Sequence, residues 1–201
     1  MEFAVAGLSK LRPAFRKDGT ITAGNAPGLN FGATAMIVAE RTWAEKQGLQ
    51  PLGRLVSYGV GAVGPGMFGF GPVPAVRQAL ERAKWTISDI DRIQINEAFA
   101  AIALAVLREL GVSEGIVNVE GGAIAHGHPI GATGAILTMR LLYSMRRDGI
   151  KKRCRHTLYR RWARHRPRAR EPGSLTESRS LLRHIVRWTC PSKRVGSNEL
   201  P

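Results

Sequence analysis

The chain changes character between Asp148 and Arg153. Residues 1–150 carry 15 Lys and Arg against 12 Asp and Glu, a balance of +3, while residues 151–201 carry 15 against 3, a balance of +12. Only the first part pairs a low charge with apolar periodicity, so a packed core must be built there. Any case for nucleic acid must rest on the basic tail alone, because Lys and Arg supply sequence-independent affinity for phosphates. The tail by itself is expected to be disordered.

Within residues 1–150, helical and strand patterns alternate. The apolar spacing of Ala33 to Lys46 predicts a helix stopped by Gly48. "PLGRLVSYGVGAV" (51–63) is β-branched and apolar and predicts a strand, followed by a glycine-rich loop, "GPGMFGFGP". A second helix is expected over Ala75 to Trp85, entered through Pro72 and Pro74. Ser88 offers a cap for one short turn, and "DRIQI" (91–95) alternates as a strand does. From Asn96 to Gly111, apolar residues cover most faces, which predicts a helix buried between layers. "GIVNV" (115–119) reads as a short buried strand. Ala132 to Arg147 reads as a helix with basic residues at its end, where the helix dipole favours them. Strands alternating with helices indicate a layered α/β fold.

Several classes are set aside. No apolar run reaches the roughly 18 residues of a membrane span. The opening "MEFAVAGLSKLRPAF" lacks the basic region, apolar core and cleavage site of a signal peptide. Two cysteines, Cys154 and Cys190, make neither a disulfide framework nor a metal cluster. A cytoplasmic setting with no metal is the expectation.

Chemistry concentrates in "EGGAIAHGHPIGATGA", Glu120 to Ala135. His128 lies between Gly127 and Pro129, just before a helix start whose free N–H groups suit an anionic or carbonyl oxygen. With an ordinary pKa of about 6.5, an imidazole there can act as base, acid or donor. A structural histidine in a tight turn fits the residues equally well. Asn96 and Glu97 fall where a strand ends and a helix begins, the edge at which α/β sheets bind ligands. Taken alone, Asn96 reads first as a helix N-cap, a place that Asn fills well. His126 reads as a loop neighbour rather than a second catalyst.

Three stretches together, "LSKLRPAFRKDGTITAGNAPGLNFGATA", "INEAFAA" and "NVEGGAIAHGHPIGATGA", resemble the C-terminal half of a thiolase of the acetyl-CoA acetyltransferase type. The resemblance runs from residue 8 to about 152 at the family's spacing. It implies a thiolase-like layered fold with a mixed sheet between helices. Residues 1–24 would end the family's loop region, 25–48 would be the last strand and helix of its N-terminal domain, and 49–152 its C-terminal domain. Residues 153–201 would form the tail.

The implied reaction is condensation of two acetyl-CoA to acetoacetyl-CoA, or thiolytic cleavage of a 3-ketoacyl-CoA, through an acylated cysteine. His128 would activate that cysteine and help stabilise an enolate oxygen. Asn96 would hold a water in the same oxyanion hole. Phe99 would help wall the acyl pocket, Phe68 would close it, and Phe15, Ala23 and Gly24 would line the pantetheine tunnel. Acyl-CoA and CoA are the implied partners, with coenzyme A as substrate or product and no covalent cofactor. A homodimer or homotetramer is the family habit.

The sequence departs from the family in three ways. The half that carries the nucleophilic cysteine is absent, and neither Cys154 nor Cys190 stands in a matching context. Asn30-Phe31-Gly32 replaces Asn-Asp-Gly, and Pro27 replaces a serine offered to the coenzyme. The second cysteine, in Cys-x-Gly-Gly-Gly-x-Gly, should follow "RRDGIKK" closely and does not. Codons for "RCRHTLYRRWARHRPRARE", read one base later, permit Val-Val-Thr-Leu-Cys-Ile followed by Gly-Gly-Gly-Gln-Gly. Trp162 before Ala163 forces one of those glycines, since TGG followed by G contains GGG. A one-base insertion near Lys152 therefore accounts for the lost cysteine, the arginines and the charge step together. On this reading the chain is an acyltransferase fragment, inactive alone. The alternatives are a non-catalytic CoA-binding fragment and a basic-tailed nucleic-acid-binding protein.

Overall fold

The computed structural model describes residues 2–150, 154–157 and 185–189. In chain order these form α1 (Glu2–Leu8), α2 (Arg41–Lys46), β1 (Arg54–Gly59), α3 (Pro72–Arg82), β2 (Arg92–Ile95), α4 (Ala100–Leu110), α5 (Ala123–His126), α6 (Thr133–Arg147), β3 (Cys154–Thr157) and β4 (Ile185–Thr189). Short 3-10 helices occupy Pro65–Phe70, Ile87–Asp89 and Glu114–Ile116.

The sheet runs β1-β4-β3-β2. β4 is antiparallel to β1 and β3, and β3 is parallel to β2, so the sheet is mixed. β3 and β4 are two short stretches of the tail expected to be disordered. The rest of that tail lies outside the described residues.

Alternation along β2 decides what lies on each side of the sheet. Ile93 and Ile95 point into an apolar layer, Ile95 with Val73, Ile102 and Val106, and Ile93 with Leu80 and Ile90. Each such side chain contributes about 1.5–3 kcal/mol on burial. Arg92, Gln94 and Asn96 face the other way. Arg92 there donates to the Ser144 hydroxyl of α6 and pairs with Asp148 at 2.5 Å. The inward row of α6, Leu137, Leu141, Leu142 and Met145, is buried. The molecule is thus helices, sheet, helix.

Several element boundaries differ from the expectations. The helix expected over Ala33 to Lys46 forms only as Arg41–Lys46, with the Glu40 carboxylate accepting from the N–H groups of Thr42 and Trp43 at 3.0 and 2.9 Å. Upstream the chain is held without regular structure, because Leu29 bridges to His128 and the Thr34 hydroxyl reaches the Met139 sulfur at 2.7 Å. The strand expected over 51–63 shortens to Arg54–Gly59, and the glycine-rich loop winds into the 3-10 helix Pro65–Phe70. The helix expected over Ala75 to Trp85 starts earlier, since proline suits a first helical turn, and it ends before Lys84, whose φ is 53°. Thr86 rather than Ser88 caps the next turn, in a reciprocal arrangement with Asp89.

"GIVNV" is not a strand. Val117 makes one parallel bridge to Ile93, and then Asn118 turns to φ 45°. Its carboxamide accepts from the Ile95 N–H at 2.8 Å and donates to the Ile95 carbonyl at 3.0 Å, standing in for the next residue's backbone. The helix expected from Asn96 begins only at Ala100, with Phe99 at its N-cap position.

Candidate active site

The His128 backbone is placed by the turn before it. Gly127 closes α5 with φ 92°, a conformation that side-chain-bearing residues avoid. A Cβ there would stand 2.5 Å from the Asn30 carboxamide oxygen. Free of that obstruction, this oxygen accepts the His128 N–H at 3.0 Å. Asn30 therefore fixes the loop although its neighbour Phe31 is fully exposed.

The imidazole's protonation follows from counting hydrogens. The Thr133 hydroxyl, in the first turn of α6, donates to the Pro129 carbonyl at 2.8 Å. A hydroxyl has one hydrogen. We assign its contact with His128 Nδ1, at 2.7 Å, as one in which Nδ1–H donates to Thr133 Oγ1. In the neutral ring Nε2 is consequently bare, an acceptor. That atom faces Asn96 Nδ2 at 3.4 Å. Burial of the half-covered ring lowers the His128 pKa below its ordinary value, which keeps Nε2 unprotonated near neutrality.

Asn96 is 2% exposed, one step past the end of β2 on the face turned toward α6. It does not cap α4, which starts four residues later. Its Nδ2 points at His128, while its Oδ1 is buried without a partner among the described residues. Such a group is costly to bury for packing alone. Two nitrogens 3.4 Å apart, one a donor and the other able to become one by taking a proton, can both reach a single oxygen placed between them.

A second group lies at the start of α4. Phe15 meets Phe99 edge to face, with ring centroids 5.9 Å apart at 84°. The Asn25 carbonyl accepts the Ala100 N–H at 3.0 Å, and the Asn25 side chain folds back on Thr22 and Thr20. That turn carries Ala23, exposed, and Gly24, half-buried. Phe15 is 71% exposed, and Phe68 is carried by a separate element, the 3-10 helix Pro65–Phe70. His126 donates through Nε2–H to the Glu120 carbonyl at 2.7 Å. Among the described residues no cluster of His, Cys, Asp or Glu could hold a metal, and no helix is long and apolar enough to cross a membrane.

Sequence reasoning missed Thr133, Asn30 as a loop anchor, and Asn118. Thr133 carried a signal: it is five residues past His128, at the helix start that the glycine-rich loop leads into. Asn30 carried only its place in Asn30-Phe31-Gly32, which does not name a partner 98 residues away.

Comparison with known proteins adds a second line of evidence. The description "Thiolase, C-terminal domain" matches residues 49–156, and "Thiolase, N-terminal domain" matches residues 2–42. The acetyl-CoA acetyltransferase of Shinella zoogloeoides is 55% identical over 145 residues, 72% of this chain and 37% of its own length. That of Rhizobium meliloti is 53% identical over the same shares. The chain thus spans 37% of the length of these curated relatives. A crystal structure of Bacillus anthracis acetyl-CoA acetyltransferase superposes with a TM-score of 0.73 at 45% identity, covering 77% of this chain and 39% of that one. Human mitochondrial 3-ketoacyl-CoA thiolase in complex with CoA gives 0.68 at 39% identity, covering 77% and 40%.

Proposed function

Given that this chain belongs to the thiolase family, an acyltransferase family, we propose that His128 and Asn96 supply the acid–base part of acyl transfer between coenzyme A thioesters. The observation that carries this reading is the bare Nε2 of His128 set 3.4 Å from Asn96 Nδ2. Nε2 takes a proton, from a thiol or from the carbon beside a thioester carbonyl. The ring is then an imidazolium with Nδ1–H still on Thr133. The new Nε2–H and the Asn96 N–H both donate to the oxygen that gains charge. One nitrogen thus serves first as base and then as oxyanion donor. The reaction is condensation of two acetyl-CoA to acetoacetyl-CoA, or the reverse cleavage of a 3-ketoacyl-CoA by CoA. Phe15, Phe99 and the Ala23–Gly24 turn line the approach of the thioester, and Phe68 closes the acyl end. The setting is cytoplasmic, and a dimer or tetramer is the working form.

A complete turnover also needs a nucleophilic thiol. Neither Cys154 nor Cys190 stands in the context such a thiol has in the family, so the 201-residue chain alone gives no thiolysis of acetoacetyl-CoA by CoA. The proton step is open to test without that thiol. Acetoacetyl-CoA ionises to an ultraviolet-absorbing enolate, and a chain offering a base and two oxyanion donors raises the enolate fraction on binding. The enolate absorbance is expected to grow saturably with wild-type chain and to be lost in His128→Ala and Asn96→Ala. An absorbance that the chain leaves unchanged, or that survives His128→Ala, sinks the reading.

A further inference from the structure

We propose that Glu97 is a positioning residue that locks the two halves of this site together, joining the Asn96 end of β2 to the loop that carries His128. The proposal deepens the functional reading above and rests on it for the role of His128.

Glu97 follows Asn96 directly, and its carboxylate has two partners on different segments. Oε1 accepts from Asn118 Nδ2 at 2.7 Å. Oε2 accepts from the N–H of Ile124, in the first turn of α5, at 3.1 Å. Asn118 is itself clipped to both backbone groups of Ile95, the residue before Asn96. α5 has four residues and ends at His126, so only Gly127 separates it from His128. One carboxylate therefore ties β2 through Asn118 and the His128 loop through Ile124. Hydrogen bonds to an ionised acceptor are about twice as strong as neutral ones, which suits a tie between otherwise separate segments.

The loop is shaped to admit this side chain. A Cβ on Gly122 would fall 2.0–2.2 Å from the Glu97 carboxylate atoms. The Gly122 backbone has φ −113° and ψ −163°, which any residue adopts, so the glycine is needed for the space it leaves. The second glycine of "EGGAIAH" is thereby explained by Glu97 and not by backbone conformation. From the opposite side, Arg140 of α6 donates through Nη2 to the carbonyls of Glu120 and Gly121, at 2.9 and 3.1 Å. The loop is pinned just before Gly122 by Arg140 and just after it by Glu97.

This geometry supplies its own test. Gly122→Ala leaves the backbone unstrained and pushes away the flexible end of Glu97, so it breaks the tie while sparing the fold. Glu97→Ala removes the tie directly. Glu97→Gln keeps one acceptor oxygen but sets its NH2 against a donor, so it should act in part. On the 201-residue chain, with folding checked by melting, three quantities are followed: exchange of the Ile124 amide, titration of His128 by NMR, and the acetoacetyl-CoA enolate absorbance. Both alanine variants should speed Ile124 exchange about tenfold or more, the scale of one lost hydrogen bond to a charged acceptor. They should also raise the His128 pKa toward its ordinary value and abolish the enolate band. Gly122→Ala should add nothing in the Glu97→Ala background, because the group it displaces is gone. Faster Ile124 exchange with unaltered His128 titration and enolate band would make Glu97 only a cap of α5 and overturn the proposal. If wild-type chain gives no enolate while both variants still move the His128 titration, positioning stands and the functional reading fails.

Discussion

The single hydrogen on Thr133 Oγ1 decides what His128 can do. Thr133→Val keeps the volume but removes both the acceptor for Nδ1–H and the donor to Pro129. The ring should shift toward its Nε2–H form, and the fold should lose about 1–3 kcal/mol, the cost of leaving buried polar groups unpaired. Thr133→Ser should keep both properties. Nitrogen chemical shifts of His128 and a denaturant titration check this, and an unchanged tautomer in Thr133→Val would refute the proton count. The lowered pKa carries a sign for stability. The unfolded ring protonates near 6.5 and the folded ring only at lower pH. The stability present above 6.5 is therefore lost progressively as pH falls toward the folded value, and His128→Gln should flatten that part of the profile. At this scale the sequence was legible in residue type. His128 between glycine and proline, and Asn96 at a strand end, stood out as candidates by type and place, and the structure brings their nitrogens to 3.4 Å. The tautomer did not, because it depends on which carbonyl a hydroxyl finds in three dimensions.

Elements were legible where one periodicity governed them. α6 and β2 form within a residue of expectation, since the inward rows of each have only one place to go. Two other elements were not, because a side chain replaced the backbone as the bonding partner. At "GIVNV" the Asn118 carboxamide pairs with Ile95 and ends the strand before it starts. Ahead of α2, Asn30 and Thr34 hold the chain across the α6 end of the molecule, and no local pattern records contacts 98 and 105 residues away. The end of α6 offers a test in pH. Asp148 is held by hydrogen bonds from Arg147 and from Arg92 of β2, which lower its pKa from 3.8 to about 2. A carboxylate lowered in this way stabilises the fold fully above 3.8 and loses that effect as pH falls through about 2. The Asp148 carboxyl signal should therefore titrate near 2, and in Arg147→Gln it should titrate closer to 3.8. Titration at the ordinary value in wild type would show that the α6–β2 tie does not persist in solution.

For the whole molecule, residues 29–38 are the least reconciled part. Leu29, Phe31, Ile37 and Val38 are 87%, 106%, 93% and 70% exposed. An extended apolar segment of this kind is prone to pair with other chains. Purified chain should bind apolar dyes and self-associate, and Phe31→Asp with Ile37→Thr should reduce both by several-fold. Equal association with and without these changes would place the sticky surface elsewhere. The other end of the described chain bears on the reading frame. β3 runs parallel to β2, with Arg92 opposite Cys154 and Ile95 opposite Thr157. Read one base later, the codons from Cys154 permit Val-Val-Thr-Leu-Cys, which puts a cysteine in place of Leu158. A restored strand keeping this register and running one residue further would set that thiol beside Asn96, the neighbour of His128 Nε2. Resequencing the coding DNA across Gly149 to Glu171 should therefore remove one base and return the glycine-rich string. In the chain so restored, the cysteine should be alkylated near neutral pH about tenfold faster than in its His128→Ala variant, because an adjacent imidazole raises the thiolate fraction. A reading frame that stands would leave the basic tail as the true continuation of β2's partner strand, and alkylation indifferent to His128 would show that the restored thiol does not lie beside that imidazole.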